Sequence, residues 1–196
     1  MSRTILRWAG VVFLTGLLAG CAGRYLLDNQ VQSFSGLTAV PSPSTYRFER
    51  LPSQQAPTQA QMEALADAAL QKAGMRRDDA HPRYSVQVSG RLQRVVSPWA
   101  SPWDGWGWGA GFHHHHGLGL GFMGPFPRME SPWYEREVSL IIRELPSNRV
   151  VYETRALNAG PWTDSGAVFP AIFDASLQGF PTPPPGPRVV NIQLPR

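Results

Sequence analysis

The sequence predicts an α+β fold: a two-layer sandwich in which two helices cover one face of a mostly antiparallel sheet, in the order β-β-α-β-β-β-α-β. Three observations predict it. Apolar and polar residues alternate with period 2 in several short segments, as half-buried strands require. Two other segments carry helical spacing with terminal signals. A short Pro-Ser-Asn turn joins two of the alternating segments, which favours hairpins.

The elements follow in chain order. Residues 1–20 read as a leader and 21–30 as a tether, leaving residues 31–196 as one domain. Val31 to Leu37 is a weak strand, and Pro41-Ser42-Pro43-Ser44 breaks the chain after it. In Thr45 to Arg50, Tyr46 and Phe48 alternate with Arg47 and Glu49. Thr58 and Gln61 have the spacing of a capping box, in which each side chain satisfies a free backbone N–H of the first turn. Met62, Leu65, Ala66, Ala69 and Leu70 then form one helical stripe, closed by Gly74.

Tyr84 to Val96 is a strong strand with Tyr84, Val86, Val88 and Leu92 inward. Trp133 to Leu145 is another, with Tyr134, Val138, Leu140 and Ile142 inward, and Asn148 to Ala156 completes a hairpin with it. Outward Arg91, Glu137, Arg143, Glu153 and Arg155 suit cross-strand charge pairing on a solvated face. A second helix runs from about Ser165 to Gln178, capped by Asp164 or Ser165 and ended by Gly179, with Pro170 in its early part. After a Pro-rich connector from Pro181 to Pro187, Arg188 to Leu194 alternates as the last strand.

The leader carries the most specific chemistry. Arg3 and Arg7 precede an apolar stretch from Trp8 to Ala19, too short for the roughly 18 residues of a membrane span. It ends in Leu18-Ala19-Gly20-Cys21, which resembles a bacterial lipoprotein box. The small residues admit the signal peptidase between Gly20 and Cys21. The resemblance implies that the thiol of Cys21 is the nucleophile that takes a diacylglycerol group and that the new N-terminus takes an N-acyl chain. Two or more chains anchor stably, at about 0.8 kcal/mol per buried CH₂. Ala22, being no Asp, matches the rule for sorting to the outer membrane. The expected location is the periplasmic face of the outer membrane. Cys21 is the single cysteine, so disulfides and Cys-based zinc sites are excluded.

The net charge of +4 falls to +2 once Arg3 and Arg7 are cleaved. The basic residues are interleaved with acids, and the longest run is Arg76-Arg77, which argues against a nucleic-acid partner. No nucleophile elbow, Walker loop, His-Glu-x-x-His or dinucleotide fingerprint is present, and the chain reads as a non-enzyme. His81, beside Asp78 and Asp79, offers only an arbitrary Ser/His/Asp grouping.

An insert at residues 97–132 separates two strands that should be neighbours. Gly105 to Gly124 alternates glycine with aromatic and aliphatic residues around His113, His114, His115 and His116. Loops of this length without structure of their own are usually functional or disordered. Trp99, Trp103, Trp106, Trp108 and Phe112 suit contact with a membrane interface or an envelope protein. The four imidazoles are ligands for Zn, Cu or Ni, but with only Asp104 and Glu130 nearby a weak, adventitious site is expected. No other cofactor is implied.

The whole pattern resembles bacterial lipoproteins of the domain-of-unknown-function family 4136. The resembling residues are Cys21, Thr45-Tyr46-Arg47-Phe48 leading to Leu51-Pro52, Ala73-Gly74-Met75, and Tyr84-Ser85-Val86-Gln87-Val88. Val150-Val151-Tyr152-Glu153 and Phe169-Pro170-Ala171-Ile172-Phe173, running to Gly179-Phe180-Pro181, complete the likeness. It spans roughly residues 30–194. The resemblance implies an anchored periplasmic domain without an established activity, so only Cys21 carries over as a functional residue.

Overall fold

The computed structural model describes residues 24–99, 110–111, 119–120 and 132–195. The elements in chain order are β1 (Arg24–Ser35), β2 (Thr45–Phe48), α1 (Pro57–Lys72), β3 (Arg76–Arg77), β4 (Tyr84–Val95), β5 (Ala110–Gly111), β6 (Gly119–Leu120), β7 (Trp133–Glu144), β8 (Arg149–Gly160), α2 (Ser165–Ser176) and β9 (Arg188–Pro195). One sheet has the order β3-β2-β4-β7-β8-β1-β9, and β5 pairs with β6 in a separate ribbon. β2 runs parallel to both β3 and β4; the other pairings of the large sheet are antiparallel. The fold is therefore α+β with a mixed, mostly antiparallel sheet.

β1 corrects the expected tether. The chain is strand from Arg24, and residues 24–31 pair with β9 over Arg24↔Pro195 to Val31↔Arg188. The inward positions are Leu27, Asn29, Val31 and Ser33, all buried. Two of the four are polar, so the apolar alternation that marks a strand is diluted although the period is intact. Along its C-terminal part β1 also pairs with β8, which makes it an interior strand.

α1 and α2 pack against each other on one face of the sheet, α2 across β1, β7, β8 and β9 and α1 over β4. α2 buries Val168, Phe169, Ala171, Ile172 and Phe173. Each fully buried large apolar side chain stabilises by about 1.5–3 kcal/mol over its exposed state. Asp164 caps α2 by accepting from Ala167 N at 3.2 Å, and Pro170 lies inside the helix without moving its start. The α1 cap differs from the expected box. Pro57 opens the helix and Ala56 is the N-cap with no side-chain bond. Proline's fixed φ and missing N–H suit the first helical position, which places Thr58 inside the helix. Gly90 has no side chain where α1 comes close: a Cβ there would lie 2.6 Å from Met62 Sδ.

One inward assignment changes. Leu92 is 48 % exposed, because α1 reaches β4 only as far as Gly90. In β8 a register irregularity opposite Ile142 and Arg143 buries both Val151 and Tyr152 and leaves Val150 exposed. The β7–β8 turn forms as expected, with Asn148 at φ 51, a region asparagine tolerates. On the solvated face Arg155 pairs with Glu137 at 2.6 Å.

β2 is short, so β4 loses its partner beyond Val86. Side chains finish the edge there. Gln54 Nε2 and Gln59 Nε2 both donate to Val88 O, at 2.7 and 3.0 Å. Gln59 also donates to Glu63 Oε1 at 3.3 Å, and Arg50 holds Glu63 through two bonds of 2.6 and 2.7 Å. Burial alone would raise the Glu63 carboxyl, but the Arg50 and Gln59 bonds together outweigh it and hold it below the ordinary range. A carboxylate depressed in the fold stabilises above its unfolded pKa of about 4.3 and loses that contribution as pH falls through the folded value. Glu63→Gln is expected to destabilise the domain by about 1–3 kcal/mol at pH 7, the range for bonds to a buried charge. The gap to the parent should close as urea unfolding is repeated at successively lower pH, below about 4. A gap independent of pH would contradict the ion-pair account.

Candidate functional site

Most of the site residues expected from sequence lie outside the described residues: Cys21, Trp103, Trp106, Trp108, Phe112 and His113 to His116. Trp99 is described, and at 83 % exposure it stands in solvent just beyond β4. His81 belongs to a loop cap rather than to a catalytic grouping. Its backbone N–H and that of Ala80 both donate to Asp78 Oδ1, and these bonds, the His81 one foremost, lower the Asp78 carboxyl. Among the described residues no three His, Cys, Asp or Glu side chains converge as metal ligands.

The structure brings together a polar row that sequence reasoning missed. Alternation along β7 turns Arg136 inward between Tyr134 and Val138, and its exposure is 0 %. Opposite Arg136 stands Asn158 of β8, and opposite Asn158 stands Asn29 of β1. All three are buried on the helix-facing side of the sheet. The row was signalled by period alone: positions 134, 136, 138, 140 and 142 share a face, whatever the residue type.

Arg136 braces the start of α2. Nη2 donates to Trp162 O at 2.5 Å, and Nε and Nη2 both donate to Ser165 Oγ, at 3.2 and 3.1 Å. The guanidinium also lies 5.3 Å from the Tyr134 ring centroid. No carboxylate among the described residues pairs with it. Desolvation therefore pushes the guanidinium below its ordinary value, against smaller opposing effects of Tyr134 and Asp164. It still stays charged, as arginine does in proteins. Nη1 has no partner, and neither have Asn29 Oδ1 and Asn158 Oδ1. The Asn amide nitrogens are used: Asn29 donates to Val190 O at 3.0 Å and Asn158 to Asp28 O at 3.1 Å.

The other end of α2 is braced differently. Arg188 Nη2 donates to Gln178 O at 2.9 Å, and Thr154 Oγ1 donates to Ser176 O at 2.9 Å. A cation at a helix C-terminus complements the helix dipole, whereas Arg136 sits at the N-terminal end, where the dipole opposes it. The Arg136 row is a buried hydrogen-bonding cluster between the sheet and α2. A guanidinium offers donors and amide oxygens offer acceptors, and none of the three titrates near neutral pH. Tyr46, a strongly perturbed group elsewhere in the fold, is raised by burial and then by its hydrogen bond to Asp67, and it packs as core.

The register gathers several of these features at one end of the sheet. Arg24 faces Pro195, Tyr134 faces Gly160, and Val95 faces Trp133. The start of β1, the end of β9 and the exit of β4 toward Trp99 therefore share that end. There Tyr25 stacks on Trp162 with ring centroids 4.5 Å apart. Gly160 makes room for the indole, since a Cβ would lie 2.9 Å from it.

The model of one family, Domain of unknown function (DUF4136), matches residues 31–182 of the 196. The chain belongs to this family. No curated protein matches the DUF4136 chain. A PDZ domain protein from Parabacteroides distasonis has a similar fold, with a TM-score of 0.50 at 13 % identity, over 91 % of this chain and 41 % of that one. PelC from Paraburkholderia phytofirmans, solved as a dodecamer, gives a TM-score of 0.47 at 12 % identity over 79 % of this chain and 99 % of that one. A dodecameric point variant of that PelC gives 0.46 at 12 % identity, over 76 % of this chain and 94 % of that one.

The brace predicts an uncommon stability result. A buried arginine without a carboxylate carries a desolvation cost that its few bonds offset only in part. Arg136→Met, which keeps most of the volume, is expected to leave urea stability within about 1 kcal/mol of the parent or to raise it. A loss of about 3 kcal/mol or more would show instead that the charge itself holds the fold together.

Proposed function

We propose that this DUF4136 chain is a non-enzymatic lipoprotein, anchored through Cys21 on the periplasmic face of the outer membrane, where its domain binds an envelope partner. The observation that carries the reading is where the lipoprotein box meets the fold. Cys21 stands three positions before Arg24, the first residue of β1. Cleavage after Gly20 would thus remove the apolar leader and no strand residue. Acylation at Cys21 would place the lipid at the root of an interior strand.

One further feature supports a binding role. The sheet face opposite the helices exposes Leu26, Phe34 and Val189 on the adjacent strands β1 and β9. These apolar groups, set among Asp28, Gln30 and Gln32 on the same face, are open to contact with another protein.

Fractionation tests the anchor. The parent should sediment with outer-membrane vesicles and resist a high-salt wash, whereas Cys21→Ser should appear in the soluble periplasmic fraction. Recovery of Cys21→Ser with the membranes to the same extent as the parent would contradict the reading.

A further inference from the structure

We infer that the end of the sheet formed by Arg24, Val96 to Trp99, Trp133 and Pro195 is a membrane-contact surface, seated on the lipid headgroups with the strands standing away from the bilayer. The inference rests on lipidation at Cys21 and deepens it, because an anchor alone does not say which surface meets the membrane.

The reach of the chain is the first argument. Three residue steps separate Cys21 from Arg24, and at about 3.8 Å per step they span roughly 11 Å at most. Arg24 is already paired with Pro195, so the slack cannot be increased without breaking strand pairing. The acylated residue must lie at the bilayer surface, and the Arg24 end of β1 must lie close above it. The register then brings the Val95–Trp133 end of β4 and β7 to the same level.

The character of that end is the second argument. Trp99 and Val96, 83 % and 72 % exposed, are the two most exposed large hydrophobic residues among those described. Both stand where β4 leaves the sheet. Tryptophan favours the membrane interface, where its ring is buried among headgroups while its N–H stays hydrated. The opposite end is built of charge. Arg83 and Arg149 flank Glu144 there, and Arg76 and Arg77 pair with Asp78 and Asp79. A strand of β1's 12 residues is about 40 Å long, so that charged end stands well beyond the headgroups. One Trp and one Val give a weak contact, which orients the domain but does not hold it without the lipid.

The test uses lipidated full-length protein, extracted from producing cells and reconstituted in vesicles of phosphatidylethanolamine and phosphatidylglycerol. Acylated Cys21 has no free thiol, so Ser97→Cys and Thr182→Cys each give one labelling site, at the near end and in the far Pro-rich connector. Flotation with the vesicles reports the anchor. Collision with a water-soluble nickel chelate reports the depth of a spin label. The Ser97→Cys label should show a several-fold loss of chelate access relative to the Thr182→Cys label. Adding Val96→Ser and Trp99→Ser should restore access without changing flotation. Failure to float would refute the anchor, and this inference with it. Flotation with equal access at both labels would overturn the inference alone. So would protection that survives removal of Val96 and Trp99.

Discussion

β1 is an interior strand that begins three residues after the proposed lipid site, and the arrangement of the domain follows from that constraint. An N-terminal strand at a sheet edge could peel away and lengthen its leash. β1 is paired along its whole length, with β9 over Arg24 to Val31 and with β8 over Asn29 to Ser35. Leu27 and Val31 hold it to the core from within. Peeling β1 would separate β8 from β9 and uncover the part of α2 that rests on them. The strand that follows the proposed anchor is thus held on both sides over Asn29 to Val31 and on one side elsewhere. Force or orientation imposed at Cys21 would pass directly into β1, between β8 and β9.

The second organising feature is the pinning of α2 from below. At its C-terminal end Arg188 and Thr154 meet free carbonyls with donors, the arrangement a helix dipole favours. At its N-terminal end the sheet offers Arg136, a cation where an acidic or neutral side chain would cost less. Trp162 O and Ser165 Oγ bind it, and the Tyr134 ring adds some attraction, yet Nη1 goes unused. Natural sequences tolerate such costs chiefly where a residue serves recognition or specifies a conformation. The same row ties β7, β8 and β1 together at the end where β1 enters the sheet.

Much of the architecture was legible in the sequence, and the exceptions have physical reasons. β4, β7, β8, β9 and both helices follow from periodicity because their inward positions are mainly apolar. The first half of β1 did not, since Asn29 interrupts its apolar face and short leaders and tethers have similar composition. The parallel pairing of β2 with β3 was invisible because Arg76-Arg77 is two residues long and wholly exposed. Thr58 looked like a cap because its spacing to Gln61 is right, but Pro57 starts the helix one residue earlier. Arg136 shows the reverse failure. Its position in β7 demanded an inward side chain, and its residue type argued otherwise; position prevailed because Ser165 and the Trp162 carbonyl were there to receive it. Family membership followed from diffuse features such as Tyr84 to Val88 and Phe169 to Phe173. Neither stretch is catalytic, which is why the resemblance pointed to a fold and an address more readily than to an activity.

In the proposed envelope domain the covalent lipid and an interior strand, β1, are almost contiguous. Intact mass spectrometry of the protein extracted from membranes tests this most directly. The account predicts a chain beginning at Cys21, without residues 1–20, and heavier than its sequence by one diacylglycerol group and one N-linked acyl chain. A mass equal to the uncleaved chain, or to a cleaved chain with unmodified Cys21, would contradict it.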